Sequence, residues 1–148
     1  MPTTHFQNAL FARDIEIGES SSTDVTVVRG QPVYAGADAD SNANRMIPVT
    51  DISAHSCNGL SQVATADVVN GVAKMALFPM TIMTDNVASG AVPTATADAR
   101  VYINDSGEFT NADGGGSSVS YGVCLEVKTS GQYSGMYVLQ LTGPDFDT

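Results

Sequence analysis

A chain of 148 residues, 43% of them hydrophobic, is long enough to bury a core and too apolar for the disordered class. Sixteen acidic residues oppose six basic ones, a formal net charge of −10, and Arg13, Arg29, Arg45, Lys74, Arg100 and Lys128 are scattered singly. That distribution offers no phosphate-binding stripe, so neither nucleic acid nor an anionic membrane is an expected partner.

The stretch from Met1 to Asp24 is fairly polar, with Phe6, Leu10, Phe11, Ile15 and Ile17 spaced along it before Gly18-Glu19-Ser20-Ser21-Ser22-Thr23. It reads as an extended N-terminal arm (residues 1–24), the other reading being that it packs back on its own domain. No basic segment followed by an apolar one marks it as an export signal.

From Val25 onward, residues 25–148 are predicted to form a single β domain. Val25-Thr26-Val27-Val28 is β-branched throughout, and Gly30-Gln31-Pro32 separates it from Val33-Tyr34. Ile47 and Val49 alternate with Pro48 and Thr50. Val72 to Met83 is apolar on both parities, which predicts a central strand covered on both faces with Pro79 at a bend or bulge. Val101 and Ile103 alternate with polar neighbours before a turn at Asp105-Ser106-Gly107. Tyr121, Val123, Leu125 and Val127 share one face of a strand, and so do Tyr137, Leu139 and Leu141. Asp38–Asn44, Asn86–Asp98 and Asn111–Ser118 are rich in Ala, Ser, Asn, Asp and Gly and read as loops. The fold class is therefore all-β: a compact barrel or sandwich of short antiparallel strands with long loops. No run approaches the roughly 18 apolar residues of a membrane-spanning helix.

A faint internal repeat runs through these strands. Val33-Tyr34, Asn58 to Val63 and Gly71-Val72 leading to Pro79 are matched by Val101-Tyr102, Tyr121 to Leu125 and Gly135-Met136 leading to Pro144. A duplicated strand–loop–strand–strand unit would close into a small barrel or sandwich with few open edges.

Enzyme signatures fail one by one. Neither His5 nor His55 lies in a recognised nucleophile motif. Gly131-Gln132-Tyr133-Ser134-Gly135 has the wrong order for a nucleophile elbow and reads as a hairpin turn. Gly114-Gly115-Gly116 is followed by Ser117 and Ser118 without Lys, so it is no P-loop. His55-Ser56-Cys57 has too few soft ligands nearby for structural zinc, and Cys57 and Cys124 read as small buried hydrophobes. Asp38-Ala39-Asp40-Ser41-Asn42-Ala43-Asn44 alternates oxygen ligands as a calcium loop does. Ala43 stands where such a loop needs Gly, however, and Val49 where it needs a bidentate Glu, which leaves calcium an open question. Without Trp and with 7% aromatics, a sugar-processing site built on paired carboxylates is poorly supported. The expectation is a protein that is not an enzyme, with no catalytic residue, cofactor or metal.

Gly30-Gln31-Pro32-Val33-Tyr34, Asn58-Gly59-Leu60-Ser61-Gln62 and Gly71-Val72-Ala73-Lys74-Met75-Ala76-Leu77, followed by Ala99 to Gly107, Tyr121-Gly122-Val123 and Val138-Leu139-Gln140-Leu141, form one ordered pattern. It resembles that of the small capsid decoration (cement, or head-stabilising) proteins of tailed bacteriophages, over roughly Val25 to Leu141. Gly36 to Asn58 and the stretch before Val25 are longer than in that family. The resemblance implies a β structural protein made in the host cytoplasm and carried on the outer capsid surface of the virion, where it stabilises the expanded head. Its partners would be the major capsid protein and further copies of itself, with a trimer favoured. Phe6, Leu10, Phe11, Arg13, Ile15 and Ile17 on the arm are the expected capsid-binding residues. The alternative is a carbohydrate- or host-binding module of the head-fibre or adhesin type, for which Tyr34, Tyr102, Tyr121, Tyr133 and Tyr137 should gather on one exposed face.

Overall fold

The computed structural model describes residues 2–68, 71–113 and 119–146. The glycine run Gly114–Gly116 and its neighbours Ser117 and Ser118 lie outside the described residues. The fold is all-β, as expected, with no α-helix among the described residues. In chain order the strands are β1 (Thr4–Asn8), β2 (Ala12–Ile17), β3 (Glu19–Ser20), β4 (Thr23–Asp24), β5 (Pro32–Gly36), β6 (Arg45–Pro48) and β7 (Gly59–Ser61). After a 3-10 turn at Thr65–Asp67 come β8 (Val72–Leu77), β9 (Met80–Thr84), β10 (Tyr102–Ile103), β11 (Phe109–Thr110), β12 (Val119–Val127) and β13 (Tyr137–Phe146).

The first half closes into a five-stranded barrel in the order β2-β6-β5-β7-β8. Period-two alternation fills it: Ile15 and Ile17 of β2 and Ala73 and Met75 of β8 point inward with Val27, Val33 and Met46, while Glu16, Val72 and Lys74 are exposed. Ile17 and Met46 are fully buried, and truncating either to Ala would cost about 2–5 kcal/mol. Closure comes where β2 meets β6 in parallel, with Ile17 opposite Met46 and the Gly18 N–H donating to the Met46 carbonyl at 2.9 Å.

The second half repeats that order of pairing. In the first, Val33 faces Gly59 and Gly59 faces Leu77; in the second, Val101 faces Gly122 and Gly122 faces Leu141. Asn58 donates to the Val33 carbonyl, and Tyr121 to that of Val101, each at 2.8 Å. The Ser61 hydroxyl donates to Val63 O at 2.5 Å, and the Cys124 thiol to Glu126 O at 3.5 Å. Tyr34 lies opposite Ile47 as Tyr102 lies opposite Thr110. Even the parallel closure recurs, with Val87 bridging Phe109 and the Ala88 N–H donating to the Phe109 carbonyl at 2.9 Å. The sequence repeat is therefore matched by the backbone, and it is larger than the sequence suggests: β2, β5, β6, β7 and β8 correspond to β9, β10, β11, β12 and β13. The two units share a core, because Val49, Cys57, Leu60 and Ala76 of the first pack with Ile82, Phe109, Tyr121 and Leu139 of the second.

Three expectations change. Residues 1–24 do not stand apart as an arm, since β1 pairs with β9 and β2 belongs to the barrel. Phe6, Ile15 and Ile17 are inward positions of these strands, whereas Leu10 and Phe11 lie on the exposed crossing between them. Val72 to Met83 is two strands and not one: Phe78-Pro79 turns the chain from β8 in the barrel to β9 in the four-stranded sheet β1-β9-β13-β12. Val25-Thr26-Val27-Val28 has no ladder. A single side chain replaces it, for Thr65 Oγ1 accepts the Val27 N–H at 2.7 Å and donates to Val25 O at 3.0 Å, and the Thr65 N–H donates to Val27 O at 2.9 Å.

Candidate interaction surface

The chain crosses from the four-stranded sheet to the barrel at Ala9-Leu10-Phe11. Ala9 packs on the shared core, and the Phe11 carbonyl accepts the Leu77 N–H at 2.9 Å, so the crossing is pinned at both ends. Between those anchors Leu10 is 79% and Phe11 53% exposed. Two adjacent exposed apolar side chains make a small contiguous patch, and a partner that covers it removes that surface from water.

Beside them lies a groove of about 190 Å³, walled by Leu10, Phe11 and Pro79. Its floor includes Asn8, Thr81 and Gln140, which stand in a row because Asn8 faces Thr81 and Thr81 faces Gln140 across three neighbouring strands. An apolar wall beside a row of side-chain amides and a hydroxyl suits a partner's apolar side chain flanked by its backbone polar groups.

Of the six residues expected to bind, Leu10, Phe11 and Arg13 are on the surface, and only Leu10 and Phe11 meet in the groove. Arg13 is exposed on β2 and has no ion pair among the described residues. Ile15 and Ile17 are barrel core, 5% and 0% exposed. Phe6 packs inward on the shared core under the Arg29 guanidinium, 4.8 Å from the ring centre. Sequence reasoning missed Asn8, Pro79, Thr81 and Gln140. Only the pairing register brings them to Leu10, and no local pattern carries that register.

The other candidate chemistry resolves into structure. The Asp38 and Asp40 carboxylates accept backbone N–H groups of the β3–β4 hairpin: Glu19 to Asp38 at 2.8 Å, Ser21 to Asp40 at 2.7 Å, and Ser22 to Asp40. Asn42 N–H also donates to Asp38 at 2.8 Å. These oxygens clamp a hairpin. His55 stacks on Tyr34 with ring centres 4.3 Å apart, and the buried Cys57 thiol donates to Gly59 O at 3.0 Å. Among the described residues no three His, Cys, Asp or Glu side chains come together as a metal site.

Glu16, Glu19 and Asp24 line a wider cleft, where Arg45 lies 3.0 Å from Glu16 and 3.9 Å from Glu19. The tyrosines form no common platform: Tyr121 and Tyr102 are buried, Tyr137 packs against the core, and Tyr133 is exposed with its ring edge-on to His5.

No family model matches the chain, and no match was found among curated proteins or solved structures. The surface must therefore be interpreted on its own geometry, and its leading feature is the Leu10–Phe11 corner.

Proposed function

We propose that this chain is a structural virion protein that binds the outer surface of a phage capsid and stabilises the expanded head, as a decoration or cement protein does. The observation that carries the proposal is the pair of exposed apolar side chains, Leu10 and Phe11, held on a pinned crossing beside a groove. The resemblance of the Val25–Leu141 pattern to decoration proteins supports the same reading.

A protein that cements a shell needs a rigid body and a complementary surface, and no reaction. Two units sharing one core supply rigidity. Leu10 and Phe11 supply an anchor that enters an apolar site on the major capsid protein, where desolvated apolar and aromatic residues contribute most of the binding energy. The net charge of −10 favours a basic patch around that site and keeps unbound copies soluble. A full contact would bury on the order of 1,000 Å² or more, so residues around the corner must take part. Several copies meeting at one symmetry position would add avidity. Co-sedimentation of the purified chain with undecorated shells tests the proposal.

A further inference from the structure

The groove beside Leu10 and Phe11 is one end of a longer trough that crosses the outer face of the four-stranded sheet. Register sets two rows of side chains on that face. One row runs Asn8, Thr81, Gln140 and Val123, and the next runs His5, Met83, Val138 and Glu126. The alternate positions, Ile82 and Leu139 among them, point into the shared core.

The second row is closed over. Met83 and Val138 are buried with Met136 from the β12–β13 turn, and Tyr133 of that turn stands edge-on to His5 with ring centres 5.7 Å apart. The first row stays open: Asn8 and Gln140 are exposed, and Thr81 and Val123 are half-buried. It is therefore a floor, bounded by the covered row on one side and by Leu10, Phe11 and Pro79 on the other.

Three properties of this floor select what it can hold. No residue lining the groove is charged, and neither is Val123, although the chain carries sixteen acids. Asn8, Thr81 and Gln140 have no side-chain hydrogen bond among the described residues, so the fold makes no use of them. A carboxamide offers the same N–H and C=O groups as a peptide unit, which makes Asn8 and Gln140 suitable partners for backbone. Finally, four strands about 4.8 Å apart make the floor roughly 14 Å long, the span of about four extended residues.

We infer that the trough holds an extended, uncharged segment of the major capsid protein, lying across the strands with an apolar side chain against Leu10, Phe11 and Pro79. This rests on the capsid-binding reading and adds to it the chemistry of the bound segment. The Asn8 and Gln140 carboxamides bond the segment's backbone, one on either side of Thr81. The segment lies on the face of the sheet, so it is held by side chains and not by an open strand edge. A charged segment would bring its charge against walls that offer no opposite one.

Titration onto expanded shells tests this. N8A/Q140A should bind about tenfold more weakly than wild type, the loss expected when two hydrogen bonds are removed. T81E and T81K should both abolish binding, because each sets a charge in the middle of the floor. All three positions face outward, so the thermal unfolding of these variants should match wild type. Unchanged affinity in N8A/Q140A overturns the inference. So does binding retained or tightened by T81E or T81K, the mark of a charged or distant occupant. Either failure leaves the Leu10–Phe11 anchor standing as long as the wild type sediments with the shells. A wild-type chain that does not sediment with them removes the capsid reading, and this inference falls with it.

Discussion

Gly59 and Gly122 occupy the same place in the two halves of the fold, each pressed against the backbone of the strand it faces. A Cβ on Gly59 would lie 2.1 Å from the Ala76 carbonyl oxygen, and one on Gly122 would lie 1.9 Å from that of Gln140. Backbone cannot retreat as a side chain can, so any larger residue must push two paired strands apart. G59A and G122A should each lower stability by about 3 kcal/mol, at the upper end of overpacking costs. G131A, in the β12–β13 turn with φ +78° and nothing within 4 Å, should lose about 1 kcal/mol from backbone conformation alone. Urea midpoints of the three variants check the ranking, and equal losses would deny the close approach.

The Tyr121 hydroxyl accepts the Cys57 N–H at 2.8 Å across the joint core. Y121F should cost about 1–3 kcal/mol, because it leaves that N–H buried without an acceptor.

Alkaline pH probes the same pair. Burial pushes the Cys57 thiol from 9.0 up to about 12, and burial likewise pushes the Tyr121 phenol from 10.0 up to about 12. Below pH 9 folded and unfolded chains hold these protons alike, and the stabilisation is whole. Above it the unfolded chain releases protons that the folded one keeps, so stability should fall between pH 9 and 12. Y121F should flatten the part of the decline above pH 10. Urea midpoints measured against pH give the slope, and a flat profile would contradict the buried setting of both groups.

Thr65 does for Val25-Thr26-Val27-Val28 what a neighbouring strand does elsewhere. T65V keeps the shape and removes the acceptor of the Val27 N–H, so it should cost about 1–3 kcal/mol. T65S should retain most of that stability. Thermal unfolding of the two variants separates the hydroxyl from the methyl group.

How much of this was legible in the sequence depended on where each signal lives. Period-two alternation is local, and it marked the strands at Tyr121–Val127 and Tyr137–Leu141, but the expected common face of Tyr121, Val123, Leu125 and Val127 is broken by register shifts between Ser120 and Gly122 and between Cys124 and Glu126, which leave Cys124 buried and Leu125 exposed. The Gly131–Gly135 turn was legible for the same reason. The repeat was visible only where side chains repeat, at Val33-Tyr34 with Val101-Tyr102 and at Asn58-Gly59 with Tyr121-Gly122. The match of β2 with β9 and of β6 with β11 lies in backbone pairing, which leaves no mark on side-chain identity. Residues 1–24 misled because the buried positions of these strands, Phe6, Ile15 and Ile17, alternate with polar ones that face water, which resembles a polar arm. Of the six residues named along that stretch, Leu10, Phe11 and Arg13 lie on the surface and Phe6, Ile15 and Ile17 pack inward. The groove beside Leu10 was not legible, since Thr81 and Gln140 look like any polar position of a strand until register sets them beside Asn8.

The proposed anchoring of this chain to an expanded capsid by Leu10 and Phe11 can be separated from its folding. The direct measurement is co-sedimentation of the wild-type chain and of L10S/F11S with expanded and unexpanded undecorated shells of the parent virus. Both side chains are exposed, so the variant should match wild type in stability to within about 0.5 kcal/mol. The expected result is saturable binding of the wild type to expanded shells alone, and loss of that binding in the folded variant. Wild-type chain left in the supernatant of both shells would contradict the capsid role, and equal binding by the variant would contradict the Leu10–Phe11 anchor.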